Sequence, residues 1–203
     1  PANEDQPMNP AFLCNDYKLS KYQAEQVALE LFGRGLPVVI VNPSTPVGPR
    51  DIKPTPTGQI ILDFMNHKMP AYIDTGLNLI DVVDCARGHI LAEAKGQPGE
   101  RYILGNKNMS LKEILLTLEE LTGIKAPRIK MPYWVAYLAG SACEWISNSI
   151  THQPPSVPLA GVKMAKYFMY FDSSKAVREL GLPQNPVKNA LGKAVSWFRE
   201  NSI

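Results

Sequence analysis

Histidine and cysteine are scarce in this chain of 203 residues, with three of each, and the few that occur stand apart. Cys14, Cys85 and Cys143 are widely spaced and odd in number, which argues against a disulfide framework and fits a reducing cytoplasm. His67, His89 and His152 form no cluster with them at ligand spacing, so no metal centre is expected. An excess of one charge is also lacking: 21 basic residues face 19 acidic ones, a formal net charge of +2. The Lys and Arg residues make no basic stripe with interleaved aromatics, which excludes a nucleic-acid partner. No apolar run reaches the roughly eighteen residues that span a bilayer, and the N-terminus does not read as a signal peptide.

A further absence concerns glycine. A dinucleotide pyrophosphate is commonly held by a strand, a glycine-rich turn and the start of a helix. No such order occurs here: Gly33-x-Gly35 ends a helical pattern instead of opening one, and no acidic residue follows at the spacing of a ribose contact. Pro1 to Pro7 reads as a polar loop in mid-sequence, so the chain is expected to be the C-terminal part of a longer enzyme.

What is present begins with Asn15-Asp16-Tyr17-Lys18-Leu19-Ser20-Lys21-Tyr22. Tyr17 and Lys21 lie four residues apart at the start of a helical pattern, so a phenol and an ammonium share one face and can point at one ligand. A fixed positive charge favours an ionised phenol, which suits Tyr17 to give or take a proton. The stripe is expected to continue inward as Ala24, Ala28 and Leu31. After Gly33 and Gly35, the apolar run from Leu36 to Val41 predicts a strand buried on both faces of a parallel sheet. Asn42 to Arg50, with prolines at 43, 46 and 49, predicts a rigid loop at the carboxyl end of that strand, where open α/β sheets place ligands.

Helices are predicted over Thr57–His67 and Asp81–Lys95, and a short strand over Arg101–Leu104. Asp84 is expected to cap the second of these helices and Asp81 to fix the adjoining loop. Ser110-Leu111-Lys112-Glu113 is a capping box with Gly123 as the matching stop. Pro127–Lys130 suits an edge strand, Asp172 or Ser173 a helix start, and Pro186–Asn201 a closing helix with Val187, Leu191, Val195 and Phe198 on one face. Gln153 to Pro158 is a proline-dense connector. Met131 to Ile146 is aromatic-rich and nearly uncharged. It is expected to pack in the core or to form a lid over an apolar substrate, with peripheral membrane contact as the alternative.

Tyr17-x-x-x-Lys21 resembles the catalytic pair of the extended short-chain dehydrogenases/reductases, the NAD-dependent epimerase/dehydratase family, and Asn42 to Pro49 resembles that family's nicotinamide-side loop. Leu79 to Ala86, Gly99 to Gly105 and Phe171 to Ala176 are similar to its later elements, while Pro49 to Gly58 and Asp74 to Asn78 resemble hopanoid-associated sugar epimerases and dihydroflavonol reductase-like proteins. The resemblance implies an α/β fold: a partial Rossmann-like, doubly wound parallel sheet lacking its N-terminal strands, with a smaller α/β substrate-binding lobe. The cofactor part is expected over 1–68 and 79–98, and the lobe over 69–78 and 99–203. The implied activity is an oxidoreductase or epimerase using NADP or NAD on a small-molecule carbonyl or hydroxyl. Tyr17 and Lys21 would be catalytic and touch the cofactor, and Pro43, Ser44 and Thr45 would line the nicotinamide. The family's substrate-polarising serine lies upstream of its tyrosine, and Ser20 does not match it. Without its first strands the sheet would expose an apolar edge at Val38–Val41, so the missing half, self-association or a homodimer is the expected partner.

Overall fold

The computed structural model describes residues 1–6, 16–147, 149 and 159–201. Cys14, Asn15, His152 and the connector at 153–158 lie outside the described residues. The first element is helix α1 (Asp16–Gly33). Gly35, at φ 98°, takes the left-handed turn that releases the chain from it.

Three small sheets follow. Strand β1 (Ile40–Pro43) pairs in parallel with β5 (Arg101–Leu104). Strand β2 (Thr45–Val47) pairs in parallel with β4 (Gly76–Asp81), which also pairs antiparallel with β6 (Lys107–Ser110). Strand β3 (Tyr72–Ile73) pairs in parallel with β7 (Lys130–Met131). Between them run α2 (Pro56–Met65), α3 (Val82–Lys95), α4 (Leu111–Thr122), α5 (Tyr133–Ile146), α6 (Leu159–Met164), a π-helical turn (Ala176–Leu180) and α7 (Val187–Glu200). The architecture is the mixed α/β arrangement expected. No described helix is long and apolar enough to cross a membrane.

Two clusters make the core. The larger joins β2, β4 and β6 to α2, α4 and α7 through residues such as Ile61, Leu79, Leu115, Leu118, Leu191 and Phe198. The smaller holds Ile80, Cys85, Tyr102, Leu104, Ala176 and Leu180 between α3, the β1–β5 pair and the π-helical turn. Strand β5 shares a sheet with β1, and β4 runs across 78/79.

Several elements differ from the sequence expectation. The strand expected over Leu36–Val41 is shifted to Ile40–Pro43, because Pro37 has no N–H to donate and Val38 folds back on Leu36 before Glu100 becomes available to Ile40. The loop expected over Asn42–Pro49 is largely extended, since β1 runs through Pro43 and Thr45–Val47 is β2. Pro46 is tolerated there because β2 is an edge strand. The cap roles of the two aspartates are exchanged. Asp81 caps α3 by accepting from Val83 N at 2.9 Å, while Asp84 is buried and accepts from the backbone and side-chain nitrogens of Asn185. The edge strand near Pro127 is only Lys130–Met131, and helical residues after Asp172 begin at Ser174. Ala24, Ala28 and Leu31 do not point into a core: α1 has no buried residue.

Candidate active site

Tyr17 and Lys21 sit on the first two turns of α1. The i, i+4 spacing brings the Lys21 ammonium over the phenol ring, 5.6 Å from its centroid. Tyr17 is 68% exposed, so the phenol oxygen is open to an incoming ligand. Ser20 does not face it: its hydroxyl donates back to the Tyr17 carbonyl at 2.8 Å. One turn past Lys21, Glu25 ties the helix to the sheet by accepting from Asn42 Nδ2 at 3.0 Å and pairing with Arg101 at 3.0 Å. Its side chain is only 16% exposed, so this half-buried bridge orients a helix that apolar packing leaves unsupported.

Asn42 leads directly into the crossing between sheets. Ser44 N donates to Leu104 O at 3.0 Å, after which the chain leaves β5 and joins β4. The Ser44 hydroxyl is buried and has no hydrogen-bond partner among the described residues. Such a group costs about 1–3 kcal/mol unless something reaches it, and it marks the end of β1 as a place short of one polar partner. Gly105 makes the close approach possible, since a Cβ there would meet Asn78 Oδ1 at 2.4 Å. No hydrogen bond or ion pair joins Tyr17 or Lys21 to Pro43, Ser44 or Thr45 among the described residues. The link between α1 and this strand runs through Glu25, which holds Asn42, the residue before Pro43, and Arg101 of β5.

The β1–β5 sheet has two unlike edges. In a parallel ladder successive residues face opposite neighbours; Ile40 and Ser44 bond toward β5, so Val41 and Pro43 face the other way. No described strand pairs with that edge. The outer edge of β5 is instead closed by Glu4, a buried carboxylate that accepts from Ile103 N at 2.8 Å, while its carbonyl accepts from Arg101.

Beyond Thr45 the segment borders a cavity of about 170 Å³ lined by Pro46, Gly48, Arg50, Asp51, Val82 and Phe198. It is smaller than the roughly 300–1,000 Å³ that encloses a drug-sized ligand, so it can enclose only a small group. Gly48 is required here, because a Cβ would lie 2.5 Å from Val82 Cγ1. Arg50 holds φ 72°, an uncommon backbone for a side chain of its size. Asp51 accepts from Thr55 N and its hydroxyl, and Thr55 in turn caps α2.

Sequence reasoning missed the asparagines that fix this crossing. Asn78 is fully buried, donates to Asn108 Oδ1 and Phe171 O, and accepts from Asn106 N. The signal was available: asparagine is disfavoured inside a strand, so one in mid-strand implies a hydrogen-bonding duty. Nearby, the Lys175 ammonium lies over the Tyr102 ring, 4.8 Å from its centroid, and bonds Glu100 at 2.6 Å, holding that carboxyl below the usual carboxylate range. Burial pushes the Cys85 thiol up, which leaves it protonated and a poor nucleophile. Among the described residues no group of three or more His, Cys, Asp or Glu could hold a metal.

Residues 1–105 match the model of the NAD dependent epimerase/dehydratase family. The chain belongs to that family. It is 51% identical over 196 residues to a putative dihydroflavonol 4-reductase of Synechocystis, spanning 93% of this chain and 56% of that protein. It is 31% identical over 203 residues to sterol demethylase protein B of Methylococcus capsulatus, spanning all of this chain and 62% of that protein. A nucleoside-diphosphate-sugar epimerase from Pseudomonas aeruginosa superposes with a TM-score of 0.80 at 28% identity, over 99% of this chain and 61% of that one. The chain thus spans about half to three fifths of the proteins it matches, and the fold is the Rossmann-like one expected. The family's cofactor is NAD, one of the two dinucleotides anticipated.

Proposed function

We propose that this chain carries the proton-transfer and substrate side of an NAD(P)-dependent reductase or epimerase acting on a sugar-linked or dihydroflavonol-like carbonyl or hydroxyl. The observation that carries the reading is the exposed Tyr17 phenol with the Lys21 ammonium above its ring, on a helix that Glu25 fastens to the end of β1. Tyr17 gives a proton to a substrate oxygen or takes one from it. Lys21 stabilises the charge left on the phenol oxygen and donates to the ribose of the cofactor. When bound, the nicotinamide supplies or accepts the matching hydride.

The residues fit the nicotinamide end of the cofactor and not the other end. The orphaned Ser44 hydroxyl and the neighbouring backbone of Pro43 and Thr45 offer polar contacts there. No strand with a glycine-rich turn is available in this sequence for the pyrophosphate. That half of the site would come from further polypeptide, covalently joined or separate, laid along the open edge at Val41 and Pro43. Tyr17→Phe in the protein supplied with that half should lower kcat by about 10²–10⁴ and leave cofactor affinity nearly unchanged. An unaltered kcat would remove Tyr17 from the mechanism.

A second reading is a non-catalytic subunit or fragment that works only with a second chain. The edge of β1 that no described strand covers and the lack of a fully buried residue on α1 favour it. Restored turnover on mixing with a separate dinucleotide-binding polypeptide would distinguish a subunit from an inert piece.

A further inference from the structure

Helix α5 is built inside out. Its buried positions are the small residues Ala136 and Gly140, and Gly140 lies against Leu159 and Val162 of α6. Its large side chains face solvent: Trp134 is 66% exposed, Leu138 60% and Trp145 64%, with Tyr137 beside them. These positions fall at i, i+3, i+4 and i+11, one stripe along the helix. Ile129, just ahead of α5, and Tyr167 and Phe168, just after α6, are exposed as well. A surface helix of a soluble domain normally shows the opposite order, with its apolar stripe toward the core. The expectation that this segment packs in the core is overturned: α5 buries Ala136 and Gly140, the latter against α6, and leaves Trp134 and Trp145 outside.

Charge says what covers the stripe. Residues 124–147 and 159–168 contain Lys125, Arg128, Lys130, Lys163 and Lys166 against the single acid Glu144, five of the 21 basic residues and one of the 19 acidic ones. The rest of the chain is left with sixteen basic and eighteen acidic residues. Arg128 and Lys130 are engaged with Glu119 and Asp74, whereas Lys125, Lys163 and Lys166 make no ion pair among the described residues. Tryptophan and tyrosine with cations alongside form the pattern that settles at a bilayer–water boundary, where indole and phenol sit at headgroup level and ammonium groups meet lipid phosphates. A second copy of the chain is a worse occupant, since face-to-face pairing would set this positive region against itself.

We infer that the α5–α6 face docks on an anionic lipid surface and holds the protein peripherally on a membrane, an inference independent of the proposed catalysis. The test is co-sedimentation of the full chain with vesicles of phosphatidylcholine alone and of about three parts phosphatidylcholine to one of phosphatidylglycerol. Binding should favour the anionic vesicles and weaken with salt. Trp134→Ser with Trp145→Ser should lower the partition coefficient by about tenfold or more, and Lys163→Gln or Lys166→Gln by about fivefold each. All four positions are exposed, so folding should be retained, as the melting temperature will check. A Leu31→Ser, Phe32→Ser pair on α1 controls for the other apolar face and should leave binding unchanged. Absence of binding, binding that survives the tryptophan changes, or binding lost only in the α1 pair would overturn the inference. So would a dimer in sedimentation velocity that the tryptophan changes disperse without any effect on vesicles.

Discussion

Helices α1 and α7 both mix apolar residues with scattered charge, but only α7 gathers its apolar residues on one face, and their fates in the fold are opposite. The fourteen residues of α7 bury Val187, Ala190, Leu191, Ala194, Val195 and Phe198, while the eighteen residues of α1 bury none. Val27, Leu31, Phe32 and Leu36 stay exposed. The difference teaches where this chain completes its own core and where it does not. The α7 side closes on β2, β4, α2 and α4; α1, which carries the candidate catalytic pair, is tied to the β1–β5 pair, where one edge of β1 has no partner strand among the described residues.

The sharpest contrast is in stability. Phe198→Ala should cost about 3–5 kcal/mol, the usual range for truncating a buried aromatic, whereas Leu31→Ala should cost less than about 0.5 kcal/mol; denaturant melts of the two variants will measure both. A large loss at Leu31 would mean that α1 is covered in solution. Next in size, Asn78→Leu removes a buried amide and takes the acceptor from Asn106 N, while Phe171 O keeps Asn108 Nδ2, so a loss of about 1–3 kcal/mol is expected.

Smaller again is the capping box of α4, where Ser110 and Glu113 bond reciprocally. Ser110→Ala should cost about 1 kcal/mol. The hydrogen bonds from the Ser110 side chain and backbone hold the Glu113 carboxyl below its ordinary value. A lowered carboxyl stabilises the fold above its unfolded-state value, and that contribution is lost as pH falls through the folded one. The gap between wild type and Glu113→Gln in thermal melts should therefore narrow as pH drops below the ordinary carboxylate range. An unchanged gap would show that the box is not formed in solution.

The parts readable in the sequence are those whose cause is local. The Ser110–Glu113 box with Gly123 as its stop, the stripe of α7 and strand Arg101–Leu104 all appear where periodicity and capping chemistry place them. The exchange of Asp81 and Asp84 was not readable, because it depends on Asn185, about a hundred residues along the chain. Nor was the orientation of α5: composition shows that Trp134 and Trp145 are present, but not that Ala136 and Gly140 take the buried positions and leave them outside. In the candidate site the Tyr17–Lys21 spacing is legible from a single helix turn. The Glu25 bridge to Asn42 and Arg101, which aims that helix, is a long-range contact that no local pattern announces.

The proposed chemistry belongs to a helix tied to a sheet whose β1 edge no described strand covers. The direct test is a fluorescence titration of NADH and NADPH into this chain, alone and together with a polypeptide that supplies a strand, glycine-rich turn and helix for the open edge of β1. Saturable binding only when that polypeptide is present is the predicted result. Saturable micromolar binding by the chain alone would contradict the account, since it would require a complete dinucleotide site among residues that show only its nicotinamide end.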